Sequence, residues 1–270
     1  MSFMKSPVFD KIKQTVKFFS NKLRFDKFLN KTGRKLAISI NNILSLALYK
    51  SKQGIVTKKA VWDEFQNHFN CTYKTFVINM NRWYFLALII IALLMKINKK
   101  NSHIVKHIDS TDIPVCKFKN AHYHKTMKGL AQFGHNSKGT FYGLKLHIIS
   151  DLKKQILSIR FTSGNVDDRK VVIKLSKELT GIFVADAGYV SDKLSKEFYQ
   201  ENKRILFAKP RSNMNKIITE WQDKLYSTRM LIELNFRSLK MFYGLITSLP
   251  RSVDGYFANY IYALLAYQIS

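Results

Sequence analysis

The sequence predicts an α/β fold: a mixed five-stranded sheet flanked by helices, preceded by an all-helical and basic N-terminal region. Three observations carry this reading. In residues 1–100, apolar side chains recur at helical spacing between lysines. After Lys100 the texture changes to short apolar or alternating runs separated by helical ones. Those runs come in the order strand, strand, strand, helix, strand, helix, strand, helix, which suits a mixed sheet covered by helices.

From Asp10 to Leu29 the residues Ile12, Val16, Phe19, Leu23 and Phe28 fall on one helical face. Ile38–Leu48 and Ala60–Phe69 read as further helices, with Gly54 breaking between them. Trp83 to Met95 is an uninterrupted apolar run, shorter than the roughly 20 residues a membrane-spanning helix needs. It is expected to be a fully buried helix. The start, Met1 to Lys13, lacks the apolar core of a signal peptide.

In the second part, Ile104–Ile108 is a strand-like run ending at Asp109. Phe141–Ser150 and Gln155–Thr162 alternate as strands, and the polar stretch Asp151–Lys154 between them reads as a hairpin turn. Asp167–Leu179 reads as a helix with Val171, Val172, Leu175 and Leu179 on one face. Ile182–Ala185 is wholly apolar, as a strand covered on both sides should be. Ser191–Asn202 is helical, with Ser191 as N-cap and Asp192 in its first turn. Arg204–Lys209 is the fifth strand, stopped by Pro210, and the chain is mostly helical from Met214 to Tyr243. The expected domains are therefore 1–100, helical and basic, and 101–270, built on the sheet.

Charge points to the partner. The chain carries 45 Lys and Arg against 18 Asp and Glu, a net of +27. A surplus of that size fits a polyanion, and nucleic-acid phosphate is the commonest one. A lysine-rich codon bias is the plainer explanation, but it does not account for how few the acids are and where they stand. The first hundred residues are the more basic per residue, and most carboxylates lie later. This suggests a segment that grips DNA followed by a segment that performs chemistry. The two cysteines, Cys71 and Cys116, are far apart and form no zinc or disulfide pattern, which fits a reducing compartment such as the cytoplasm.

Two acids stand directly after apolar strands: Asp109 in Ile-Asp-Ser-Thr and Asp186 in Val-Ala-Asp-Ala-Gly-Tyr. Ligand sites of open sheets lie at that edge. If those strands are neighbours, the two carboxylates repel unless a cation lies between them, and an all-oxygen site suits Mg²⁺ or Mn²⁺. Singly, each acid is equally well a turn or cap residue. A third acid, Glu233, lies four residues after Arg229, so both share one face of a helix. Tyr226 and Lys240 lie seven residues to either side of Glu233, on the same face. Asp112 is a weaker candidate because it lies past the strand end, and Asp167 and Asp168 are expected to cap a helix. His107, His122, His124, His135 and His147 follow no zinc spacing. His147 is expected to be structural, whereas His122, His124 and His135 lie in a basic loop expected to touch DNA.

Tyr226, Arg229, Glu233 and Lys240 reproduce the Tyr–Arg–Glu–Lys spacing of bacterial insertion-sequence transposases of the DDE class. The chain resembles the 982 family of insertion sequences in particular. The shared phrases are Asp109-Ser-Thr, Pro-Val-Cys at 114–116, His-Lys-Thr-Met-Lys-Gly-Leu-Ala-Gln at 124–132 and Tyr-Gly-Leu-Lys-Leu-His at 142–147. Ser-Gly-Asn-Val-Asp-Asp-Arg-Lys at 163–170 and Asp-Ala-Gly-Tyr at 186–189 follow in order. Ala187 and Ser163 stand where the family usually has Lys and Pro.

The resemblance implies a ribonuclease H-like sheet and a transposase that cleaves DNA and transfers strands. Asp109, Asp186 and Glu233 would be the catalytic, metal-holding acids for Mg²⁺ or Mn²⁺. Tyr226, Arg229, Lys240, His124, Lys125 and Lys128 would contact DNA. The partners implied are double-stranded DNA, both terminal inverted repeats and target, and a second copy of the chain, with no membrane. A nuclease of the same fold without strand transfer, or an inactive copy that still binds DNA, are the alternatives that sequence leaves open.

Overall fold

Strand β1 (Val105–Pro114) is the axis of the sheet. It pairs antiparallel with β3 (Gly139–Asp151) along its length and parallel with β5 (Ile182–Ala185) at its start. Beyond β5 lies β6 (Ile205–Ala208), also parallel. The outer edge of β3 is shared by β4 (Ile156–Ser163) and β2 (Gln132–Asn136), which take successive halves of it. The sheet is thus five strands wide in the order β4-β3-β1-β5-β6, with β2 extending one end. This mixed sheet flanked by helices is the ribonuclease H-like arrangement. The computed structural model describes residues 7–29, 35–210 and 217–270.

The chain divides into two compact units, residues 94–237 with the sheet, and residues 1–93 together with 238–270. In the first unit, α6 (Arg169–Leu175) and α7 (Asp192–Asn202) cover one face of the sheet. Their Val171, Val172, Leu175, Leu194 and Phe198 pack with Ile108, Ile149, Leu157 and Phe183. On the other face, Leu225 and Tyr226 of α8 (Glu220–Ser227) meet Val105, Ile182, Val184 and Phe207. The wholly apolar β5 is explained by this: alternate residues serve opposite cores, each buried aliphatic side chain contributing about 2 kcal/mol.

The helical unit holds α1 (Pro7–Leu23), α2 (Ile40–Lys52), α3 (Lys58–Phe65), α4 (Tyr73–Arg82), most of α5 (Tyr84–Lys100) and α10 (Val253–Gln268). Hydroxyl N-caps start four of these: Ser39 accepts from the Asn42 amide, Thr57 from Ala60, Thr72 from Thr75 and Ser252 from Gly255. Helix α10 is apolar on all sides because it is the buried centre of this unit, packed on α2 and α4. Its Tyr262 hydroxyl donates to the Met80 carbonyl at 3.0 Å. The last 33 residues therefore pack with the N-terminal helices, whereas sequence grouped them with the sheet. A continuous apolar helix is ambiguous until its neighbours are known.

Other local differences have plain causes. Asp109 lies inside β1 instead of ending it, since β1 continues along β3 after its pairing with β5 stops at His107. The connection from β1 to β3 contains β2, unexpected because the short polar run Gln132–Asn136 becomes a strand only by pairing with Gly139–Gly143. Helix α5 is not fully buried: Leu86, Ala87, Ile90 and Ile91 are buried, while Leu88 and Ile97 are exposed. With α4 it forms a helical stretch, Tyr73–Lys100, long and apolar enough to cross a membrane by length and composition. The helix expected from Met214 begins at Glu220, and residues 214–216 lie outside the described residues.

Gly143 sits where β2 hands over to β4 and where β1 ends against β3. A Cβ there would lie 2.2 Å from the Ile113 carbonyl oxygen, which belongs to the backbone and cannot turn aside. Gly143→Ala should destabilise the chain by about 2 kcal/mol or more in urea unfolding. Gly188→Ala, where a Cβ meets nothing within 4 Å, should shift it by less than about 0.5 kcal/mol.

Candidate active site

β1 and β5 run side by side in the register Val105–Ile182, Lys106–Phe183, His107–Val184. Two residues further, where the strands part, come Asp109 on β1 and Asp186 at the end of β5. Strand alternation turns both toward the face covered by α8, away from Ile108 and Ala185 in the opposite core. The Asp109 carboxylate is half-buried, with 18 % of its side chain exposed. Its Oδ1 accepts from the Ser110 amide at 2.8 Å, and its Oδ2 accepts from Nη1 of Arg229 at 3.0 Å. Burial pushes its carboxyl up to about 7. The Ser110 amide and Arg229 oppose that rise, and the neighbouring carboxylates Asp186 and Asp168 add to it.

Arg229 is the hub. Its Nη2 donates to Glu233 Oε1 at 2.5 Å while Nη1 holds Asp109. One rigid fork thus ties β1 to α9 (Met230–Met241), and the two carboxylate oxygens are no more than about 8 Å apart. The guanidinium is held more firmly charged than usual. Burial works against the charge, but Asp109, Asp186 and Glu233 outweigh it. Tyr226 completes the group: its hydroxyl donates to Asp186 Oδ1 at 3.4 Å and its ring lies 5.7 Å from the Arg229 guanidinium. Lys209 stands 5.3 Å from the same ring and pairs with Asp223 at 2.9 Å.

Sequence placed Tyr226 to Lys240 on one helix. The structure breaks it at Thr228 and Arg229, where the amides of Arg229, Leu231 and Ile232 bond three residues back instead of four. Thr228 turns its hydroxyl to the Leu225 carbonyl and to Nε2 of the buried His107, 2.8 Å away. That tightening is what aims Arg229 at β1. Lys240 lies seven residues beyond Glu233 on α9, in the part of the helix that belongs to the helical unit.

Not every candidate gathers here. Lys125 and Lys128 are exposed and His124 half-buried, in the connection before β2. The strand that follows them, β2, starts opposite Gly143 of β3, whereas Asp109 stands opposite Ile148, about 17 Å along the sheet. Asp168 does not cap α6 with its side chain. Instead it accepts from the Ser110 hydroxyl at 2.8 Å and from Lys145 at 2.9 Å, on the opposite side of β1 from the Asp109 carboxylate. The phrase Asn-Val-Asp-Asp-Arg-Lys carried this residue, but nothing local linked it to Ser110. Asp167, by contrast, accepts from the Arg169 amide as a cap does. His147 is structural, buried with Nε2 2.8 Å from Thr162 Oγ1.

The donor set fits a hard divalent cation. Asp109, Asp186 and Glu233 all act on one guanidinium, so acidic oxygens outnumber the cation that holds them, and such oxygens suit that kind of ion. Yet among the described residues no three acidic, His or Cys side chains already surround one point. The fork of Arg229 separates Glu233 from Asp109, and a shared ion requires it to turn away.

Because Arg229 offsets a half-buried carboxylate, Arg229→Met should cost about 3 kcal/mol in urea unfolding without added cations. Adding Asp109→Asn should recover most of that loss. Additive costs would show that the ion pair does not balance this site.

The comparisons bear on the same segment. No curated protein matches the chain. The sequence profile described as the transposase DDE domain matches residues 99–252, which takes in Asp109, Asp186 and Glu233 and more than half of the chain. The protein belongs to the transposase DDE domain family.

Proposed function

We propose that the chain cleaves DNA at the ends of an insertion sequence and joins the freed ends to target DNA. The observation that supports this best is that Asp109 and Glu233 share the Arg229 fork while Tyr226, beside that guanidinium, bonds Asp186 where β1 and β5 part. Asp109, Asp186 and Glu233 would hold Mg²⁺ or Mn²⁺, which supplies charge stabilisation and activates the attacking oxygen. In the first step water attacks a phosphodiester, the P–O3′ bond breaks and a 3′-hydroxyl is released. In the second, that hydroxyl attacks a target phosphodiester and displaces the target's own 3′-oxygen. No external energy source is needed, since one phosphodiester replaces another.

The protein's own groups do the positioning. Arg229 exchanges Asp109 for a backbone phosphate, to which its planar fork is equally suited. Tyr226, anchored to Asp186, presents an aromatic face beside the scissile strand. Lys240 adds a point charge further along α9, and His124, Lys125 and Lys128 contact DNA remote from the reacting bond. Joining two element ends calls for two copies of the chain, each on one terminal inverted repeat, working at the bacterial nucleoid in the cytoplasm. The closer kinship to the 982 family rests on the phrases from Asp109-Ser-Thr to Asp-Ala-Gly-Tyr.

The test uses the terminal repeat flanking the gene, supplied as intact and as pre-cleaved duplex with Mg²⁺. Intact duplex should be cut and the pre-cleaved end joined to plasmid. Asp109→Asn, Asp186→Asn and Glu233→Gln should each lower both steps by about 100-fold or more while DNA affinity stays within about threefold. Cutting without joining would make the protein a nuclease. Neither activity, with duplex still bound, would reduce it to a DNA-binding protein.

A further inference from the structure

The helical unit contains a cavity of about 680 Å³ that the carboxylate site does not use. Lys50 and Lys58 from the α2–α3 region, Lys74 from α4 and Arg251 before α10 line it, with Asn81 and Asn259 between them. Lys50 is buried, Lys58 half-buried, and Lys74 and Arg251 exposed, so positive charge runs from the floor to the rim. No acidic residue lines the cavity, and among the described residues none of the four cations forms an ion pair.

Their partners are neutral. Lys50 Nζ donates to Asn259 Oδ1 at 3.4 Å, and Lys58 Nζ donates to Asn81 Oδ1. An amide oxygen satisfies one ammonium hydrogen but leaves the charge and two further donors unused. Burial lowers both lysines to about 8, and Lys50 adds its repulsion to Lys58. Two like charges have been brought together partly withdrawn from water, with no counter-ion among the described residues, an arrangement that costs stability unless an anion arrives. Ser252, at the start of the sixteen-residue α10, also lines the cavity and adds the positive end of that helix.

We propose that this cavity seats a backbone phosphate of DNA, making the helical unit a second DNA-holding site separate from the carboxylates. Lys50 and Lys58 take the seated phosphate, and Lys74 and Arg251 take its neighbours along the strand. The site joins chain segments some two hundred residues apart, brought together by the packing of α10 on α2 and α4. The occupant rests on the reading above that DNA is the substrate.

The experiment labels amines of the full-length protein by isotopic reductive methylation at pH 8, read by mass spectrometry. It is run alone, with a 40-base-pair duplex and with inorganic phosphate, and duplex binding is followed by anisotropy in the same samples. The duplex should suppress labelling of Lys58 at least fivefold and leave exposed Lys196, on α7, within twofold. Replacing the rim residues, Lys74→Ala and Arg251→Ala, should reduce the salt slope of duplex binding by about 0.9 for each lost phosphate contact. Bound duplex with Lys58 labelled as in the free protein overturns the cavity assignment and leaves the DNA reading intact. Protection by inorganic phosphate but not by duplex overturns the assignment to DNA. Absence of duplex binding overturns both.

Discussion

The Arg229 guanidinium is the interaction on which the site depends. A half-buried carboxylate on a central strand is costly, and two of them where β1 and β5 part are costlier still. Asp109 is tolerated because one planar cation reaches it from the α8–α9 junction while also holding Glu233. The same contact fixes α9 relative to β1, so electrostatic balance and geometry are one problem with one solution. A lysine could supply charge, but not two donors in a fixed fork.

Under the proposed function that solution has to be exchangeable. The bond from Arg229 to Asp109 holds the acids while no substrate is present. Both a divalent cation on the carboxylates and a phosphate on the guanidinium would replace it. Burial, more than its acidic neighbours, raises the Asp109 carboxyl, and the Ser110 amide and Arg229 offset only part of that rise. The helical unit shows the opposite imbalance, with lysines brought together over neutral amides.

The sequence revealed the strands well where burial is two-sided. Ile182–Ala185 is apolar throughout because cores lie on both faces, and the Asp151–Lys154 turn is built by the Asp151 carboxylate accepting from the Lys153 and Gln155 amides. It revealed Glu233 with Tyr226 and Arg229 because helical spacing is nearly kept across the break at Thr228. It did not reveal Asp168, whose partners Ser110 and Lys145 lie far away in the chain, nor β2, whose short polar run becomes a strand only against β3. The role of His107 was equally hidden, since its bond to Thr228 spans more than a hundred residues.

Sequence by itself determined the α/β class, the order of elements apart from β2 and the basic character of the front, and it offered the three acids with their Tyr, Arg and Lys companions as candidates. Those follow from periodicity and spacing, which are properties of neighbouring residues. Tertiary structure alone decided that Asp109 and Asp186 come level, that Arg229 stands between Asp109 and Glu233, and that the last helix belongs with the first ones. Register across a parallel pair, the aim of a side chain at a tightened turn, and the choice of neighbour for an all-apolar helix are settled by packing between distant segments. Local sequence carries no record of that packing.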